Sequence, residues 1–154
     1  MKLGLISHGF TQGGIERVVI RLLPMFNAKG YEVVVFSEYG REMDSYRNVP
    51  EHRRIVVGHG GSRPEKLAAA LKSENVDICL VEDYWMSWTV CDCAVIRDMG
   101  IPYVVCVHGV FSVFFLLPEM WRDKKKWYDA FMKANGLIAL SRYDEYFFRL
   151  IGCN

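Results

Sequence analysis

Residues 2–37 read KLGLISHGFTQGGIERVVIRLLPMFNAKGYEVVVFS, and their pattern decides the fold. Lys2 to Ser7 is a short apolar run with the character of a strand, and His8 to Gly14 is a turn rich in glycine. From Ile15 onward, Val18, Val19, Leu22, Leu23 and Phe26 recur at the spacing of a helix with one buried face. Gly30 suits the C-terminal cap of that helix, and Pro24, late within it, predicts a bend. Tyr31 to Ser37 is nearly continuously apolar, as expected of a strand covered on both faces. Two strands joined through a helix pair in parallel, with a right-handed crossover.

The same alternation continues outward. Arg53 to Gly58 reads as a third strand, reached through a polar loop. Pro64 opens a helix running to about Glu74, since proline is tolerated in a first turn. Val76 to Glu82 is a fourth strand, Ser87 to Met99 a helix ended by Gly100, and Ile101 to Val107 a fifth strand. Phe111 to Lys133 reads as a loop and then a helix. Gly136 to Leu140 is a sixth strand, and Ser141 caps a last helix with Asp144 at capping-box spacing. The expectation is one α/β domain over residues 1–154, an open and mainly parallel sheet with helices on both faces.

Composition narrows the function. The 154 residues are 51% hydrophobic and 24% charged, enough apolar material for a packed core and too much for a disordered chain. Nineteen Lys and Arg against eighteen Asp and Glu leave a net charge of +1, so bulk charge gives no reason to expect a nucleic-acid partner. Val104 to Pro118 is the longest apolar stretch, but His108, Gly109 and Ser112 interrupt it, and a spanning helix needs about 20 apolar residues. The amino terminus turns polar too early for a secretory signal. The five cysteines form no C-x-x-C pair and mostly lie in apolar runs, which predicts reduced thiols in a cytoplasmic protein rather than zinc or dithiol chemistry. No metal is called for.

In such sheets, ligands bind beyond the carboxyl ends of the strands, where the strand order reverses. That rule selects His8 to Gly14, the segment Glu82-Asp83-Tyr84-Trp85, the segment His108-Gly109-Val110-Phe111, and Ser141-Arg142. Gly13-Gly14 at a helix start leaves free N–H groups that suit a phosphate; the plainer reading is a tight turn that needs glycine for positive φ. The turn is not G-x-G-x-x-G, so a dinucleotide fingerprint is not supported. His108 is placed to act as a base or hydrogen-bond donor, or else is satisfied by neighbouring backbone. Glu82 and Asp83 could bind sugar hydroxyls or a cation, although neighbours on a strand point to opposite faces.

In Phe111 to Lys133, the run Val113 to Leu117 precedes Trp121, Lys124, Lys125, Lys126 and Trp127. The plainer reading is a helix with one face on the core and its lysines in water. The other is peripheral contact with an anionic membrane surface.

These residues carry a resemblance. Gly13-Gly14-Ile15-Glu16-Arg17-Val18-Val19 resembles the G-G-x-E-R-V-V signature of GT-B glycosyltransferases of the glycosyl-transferase group 1 (family 4) type. Gly30-Tyr31-Glu32-Val33 resembles the family's G-H-E-V, with tyrosine for histidine. Ile101-Pro102 to Val107-His108 resembles its I-P-x-V-x-x-x-H strand, and Ala134 to Ser141 its A-D-x-x-I-x-x-S strand, with Asn135 for aspartate. The resemblance implies a Rossmann-like, acceptor-side N-terminal domain of an enzyme whose nucleotide-sugar half, with its paired glutamates, has no counterpart in these residues. It implies transfer of a sugar, with retention, from a nucleotide sugar to a glycan or lipid-linked acceptor, of the kind that builds cell-envelope polysaccharide at the inner face of the membrane. His108 would be catalytic, and Gly13 and Gly14 would lie near the donor phosphates. His8, Glu82, Asp83, Tyr84 and Phe111 would lie on the acceptor side. No cofactor is implied beyond the nucleotide sugar as substrate. The alternative is a stand-alone, non-catalytic α/β module that binds a glycan or a partner protein.

Overall fold

The computed structural model describes residues 1–8, 13–38, 53–83, 86–108 and 124–153. Six parallel strands form one sheet: β1 (Lys2–Ser7), β2 (Glu32–Ser37), β3 (Arg53–Val56), β4 (Ile78–Asp83), β5 (Tyr103–Val107) and β6 (Gly136–Ala139). Their order is β3-β2-β1-β4-β5-β6, so the chain reverses its direction of travel across the sheet between β1 and β4. The helices are α1 (Gly14–Ala28), α2 (Arg63–Glu74), α3 (Met86–Asp98), α4 (Lys124–Met132) and α5 (Arg142–Leu150). The α/β expectation holds, with strand and helix limits moving by a few residues. The expected strand from Ile101, for example, starts at Tyr103, the residue after Pro102.

Each strand's alternation feeds two cores. Leu3, Leu5, Val33, Val35, Leu80 and Cys106 face one side, where Val19 and Leu23 of α1 cover them. Ile6, Val34, Phe36, Cys79, Val81, Val105 and Val107 face the other, beneath Leu67 and Leu71 of α2, Ile96 of α3, Phe131 of α4 and Phe148 of α5. Burial on both sides is why the strands read as apolar runs rather than alternating ones. Gly4 sits on the second face, where a Cβ would lie 3.0 Å from Val76 Cγ1 and 3.2 Å from Phe36 Cε2. Pro24 lies inside α1. Ser141 caps α5, its hydroxyl accepting the Asp144 N–H at 3.1 Å.

The lysine-rich segment resolves in part. In α4, Trp127 is 5% exposed and stacks on Phe131 with centroids 5.7 Å apart, while Lys125 and Lys126 are exposed. Trp127 is therefore a core residue and does not serve as an interfacial aromatic. Residues 109–123, which carry the rest of that motif, lie outside the described residues. No described helix is long and apolar enough to cross a membrane. The five cysteines are free thiols. Burial pushes the Cys79 thiol up to about 12, with the nearby Asp92 charge adding to the effect.

Candidate active site at the carboxyl edge of the sheet

Strand register brings together residues far apart in sequence. Ser7 pairs with Ser37, Ile6 with Val81, and Glu82 with Cys106. Side chains alternate along a strand, so Ser37, Ser7, Glu82 and Cys106 continue the face that α1 covers, one step past its apolar layer. His108 follows two residues after Cys106. A polar row thus crosses four neighbouring strands at their carboxyl ends and spans the point where strand order reverses.

At the centre of this row His108 Nε2 hydrogen-bonds Glu82 Oε2. The pair is shielded: the Glu82 side chain is 0% exposed and that of His108 7%. Glu82 Oε1 and Ser7 Oγ are both buried with no partner among the described residues. Unsatisfied buried polar atoms cost roughly 1–3 kcal/mol each, and native structures keep few of them without a reason. Here two occur in neighbouring strands at the edge where ligands bind. The Glu82, Cys106 and His108 donor atoms lie within 4.8 Å of one another. Two of these groups are already bonded to each other, so the geometry is that of a histidine–carboxylate pair, and we assign no metal to it.

The helix-start glycines separate into two cases. Gly13 is the N-cap of α1, at φ −126° and ψ 168°, and Gly14 begins the helix; neither has positive φ. The positive-φ explanation for these glycines is therefore incorrect. A Cβ on Gly13 would fall 1.8 Å from Glu16 Oε2, because the buried Glu16 side chain folds back over it. Gly13 is thus explained by Glu16, in the manner of a capping-box glutamate at the third helical position. A Cβ on Gly14 would meet nothing within 4 Å. Packing among the described residues gives no reason for glycine there, and the position lies at the end of the helix whose free N–H groups attract anions.

His8, just past β1, is 32% exposed, and its Nδ1 lies 2.7 Å from Glu38 Oε2. The Glu38 N–H donates to the His8 carbonyl at 3.0 Å, and His59 Nδ1 approaches Glu38 Oε1 at 3.9 Å. Glu38 escaped sequence reasoning; its one signal is its place directly after an apolar strand. Asp83 ends β4 opposite Val107. Tyr84 and Phe111 lie outside the described residues.

A second charged pair also escaped the sequence. Arg63 at the start of α2 and Asp92 in α3 are both 0% exposed. Arg63 Nε and Nη2 donate to the two Asp92 oxygens at 2.9 and 2.7 Å, and Nη1 donates to the Gly58 carbonyl at 2.5 Å. The guanidinium also lies 5.9 Å from the Trp88 ring centroid. Burial pushes the Asp92 carboxyl up, against the opposing pull of Arg63.

Comparison with known proteins agrees with the fold. The chain is 17% identical to sucrose-phosphate synthase from Thermosynechococcus elongatus, covering 97% of this chain and 44% of that one at TM-score 0.68. It is 11% identical to Acinetobacter baumannii MurG, covering 75% of this chain and 38% of that one at TM-score 0.57. At these identities the likeness is one of fold, and the chain spans less than half the length of either structure. A 59-residue stretch, 37% of the chain, is 39% identical to a phosphoglucosamine mutase of Cupriavidus metallidurans but covers 13% of it, too little to indicate kinship. A family model matches residues 12–153. That span holds the glycine turn, the buried Glu82 and the strand-ending His108, and by it the chain belongs to Glycosyltransferase Family 4.

Proposed function

We propose that this chain is the acceptor-side, N-terminal half of a retaining GT-B glycosyltransferase. It moves a hexose from a nucleotide sugar to a hydroxyl of a glycan or lipid-linked acceptor. The observation that carries the reading is the polar row at the carboxyl edge of the sheet, within a chain that matches the family over nearly its whole length. His108 stands at the reacting sugar, where an imidazole can accept or donate a hydrogen bond as charge develops. Gly13 and Gly14 lie beside the donor diphosphate, and the space open at Gly14 supports that placement. His8, Glu82 and Asp83, with Tyr84 and Phe111, form the acceptor side, where the unpartnered Glu82 Oε1 can accept from a substrate hydroxyl. The work is cytoplasmic, at the inner face of the membrane where a lipid-linked acceptor is presented; five free thiols accord with that compartment.

The nucleotide base and sugar are then held by a second domain, and closure of the cleft between the two orients the donor. Orientation of this kind accounts for about 7–11 kcal/mol of barrier reduction. Residues 1–154 alone should therefore fold, bind nucleotide sugars weakly and transfer none. Calorimetry with UDP- and GDP-sugars, beside a transfer assay, checks this on the isolated chain. Micromolar donor affinity or measurable turnover would refute the half-enzyme reading.

A further inference from the structure

Glu82 ends an apolar strand and is wholly buried, yet one of its oxygens bonds His108 on the neighbouring strand. The register that pairs Glu82 with Cys106 fixes this meeting, because His108 is two residues further along the same face. An ionised carboxylate has no proton to donate. With Glu82 as the acceptor, the bond places the proton on His108 Nε2, and in the neutral ring this leaves Nδ1 as the acceptor nitrogen. The chemistry of the other ring nitrogen is thus defined by the one that bonds Glu82. We propose that Glu82 is a positioning residue that locks His108 in the Nε2–H tautomer, so that Nδ1 is the atom offered to a substrate hydroxyl.

The proposal rests on the placement of His108 in the transfer site, but its first test does not. Long-range proton–nitrogen NMR on the 154-residue chain reads the imidazole nitrogens directly, with His108→Ala assigning the signals. The native chain should show a protonated Nε2 and an unprotonated Nδ1 above neutral pH. Glu82→Gln keeps an oxygen that can accept from Nε2 and should keep this pattern. Glu82→Leu, similar in size but without an acceptor, should give exchanging tautomers. A native His108 protonated at Nδ1, or a Glu82→Leu spectrum unchanged from native, overturns the proposal. If the leucine variant does not fold, a native His108 protonated at Nδ1 still overturns the proposal, and Glu82→Gln still reads the tautomer with the acceptor kept.

In an enzyme joining this domain to its donor half, Glu82→Leu should lower kcat roughly 10-fold or more, with the donor KM within about twofold, and Glu82→Gln should recover part of the loss. A fall in donor affinity without loss of kcat would make Glu82 a donor-binding group and overturn the positioning role. If the tautomer behaves as stated but His108→Ala transfers sugar normally, Glu82 still positions His108, and it is the placement of His108 in the transfer site that fails.

Discussion

Two buried acid–base pairs sit at this end of the molecule, and they are finished differently. Arg63 and Asp92, between α2 and α3, form a closed set in which the fork of the guanidinium meets both carboxylate oxygens and a backbone carbonyl. Glu82 and His108, on the face that α1 covers, share one bond and, among the described residues, leave Glu82 Oε1 without a partner, as is Ser7 Oγ on the adjacent strand. Equal burial therefore does not mean equal purpose. A closed pair can only hold structure, here tying α2 to α3 and to the turn after β3. An open pair retains hydrogen-bonding capacity that a ligand can use, and it lies where strand order reverses.

The largest expected effect lies in the closed pair. Removing one partner strands a buried charge, so Arg63→Met should destabilise the fold by about 3–5 kcal/mol. The double variant Arg63→Met with Asp92→Leu should regain most of that loss, because both charges leave together. Urea unfolding of the three proteins measures this directly. A double variant no better than the single one would mean that the pair is not a self-contained unit.

Next in size is the open pair. In a complete enzyme, His108→Ala should lower turnover by roughly 10²-fold or more, the scale of a lost acid–base or charge-stabilising group. The fold should survive, with a lower urea midpoint because the buried Glu82 loses its bonded partner. Near-normal turnover would remove His108 from the site, and a collapse of stability instead would make this pair structural like the other.

The last effect is a slope with pH. Cys79 lies against the core on the closed pair's side, with a folded thiol raised from 9.0 to about 12 by burial and by Asp92. The unfolded thiol ionises first as pH rises, so the folded state holds more protons in that window. Stability is unaffected by this group below pH 9 and is lost between pH 9 and about 12. A single group contributes at most about 1.4 kcal/mol per pH unit. Cys79→Ala should flatten the alkaline limb of a stability–pH curve, and a limb equally steep in the variant would show that other groups set it.

The contrast also marks what the sequence makes legible. β1, β2, β4 and β5 declare themselves because burial on both faces makes each an apolar run, and α1 because its apolar residues recur with the helical period. His108 could be singled out because it ends such a run. Glu82 could be singled out too, at the end of β4, but its bond to His108 could not, since the two lie 26 positions apart and the pairing depends on the register between β4 and β5. Arg63 and Asp92 are 29 positions apart on different helices, and each alone reads as an ordinary surface charge. Glycine at 13 and 14 pointed to the correct turn, but the conformational reason was wrong. Contact with Glu16, three residues on, explains the first, and no packing among the described residues explains the second.

If the open pair faces substrate and the closed pair does not, a ligand should disturb only the first. Amide NMR of the 154-residue chain titrated with UDP- and GDP-sugars to about millimolar concentration addresses it directly, since weak binding still moves resonances. Shifts should gather at Ser7, Gly13, Gly14, Glu82 and His108, with Arg63 and Asp92 left in place. Shifts centred on Arg63 and Asp92, or none along the row from Ser7 to His108, would contradict it.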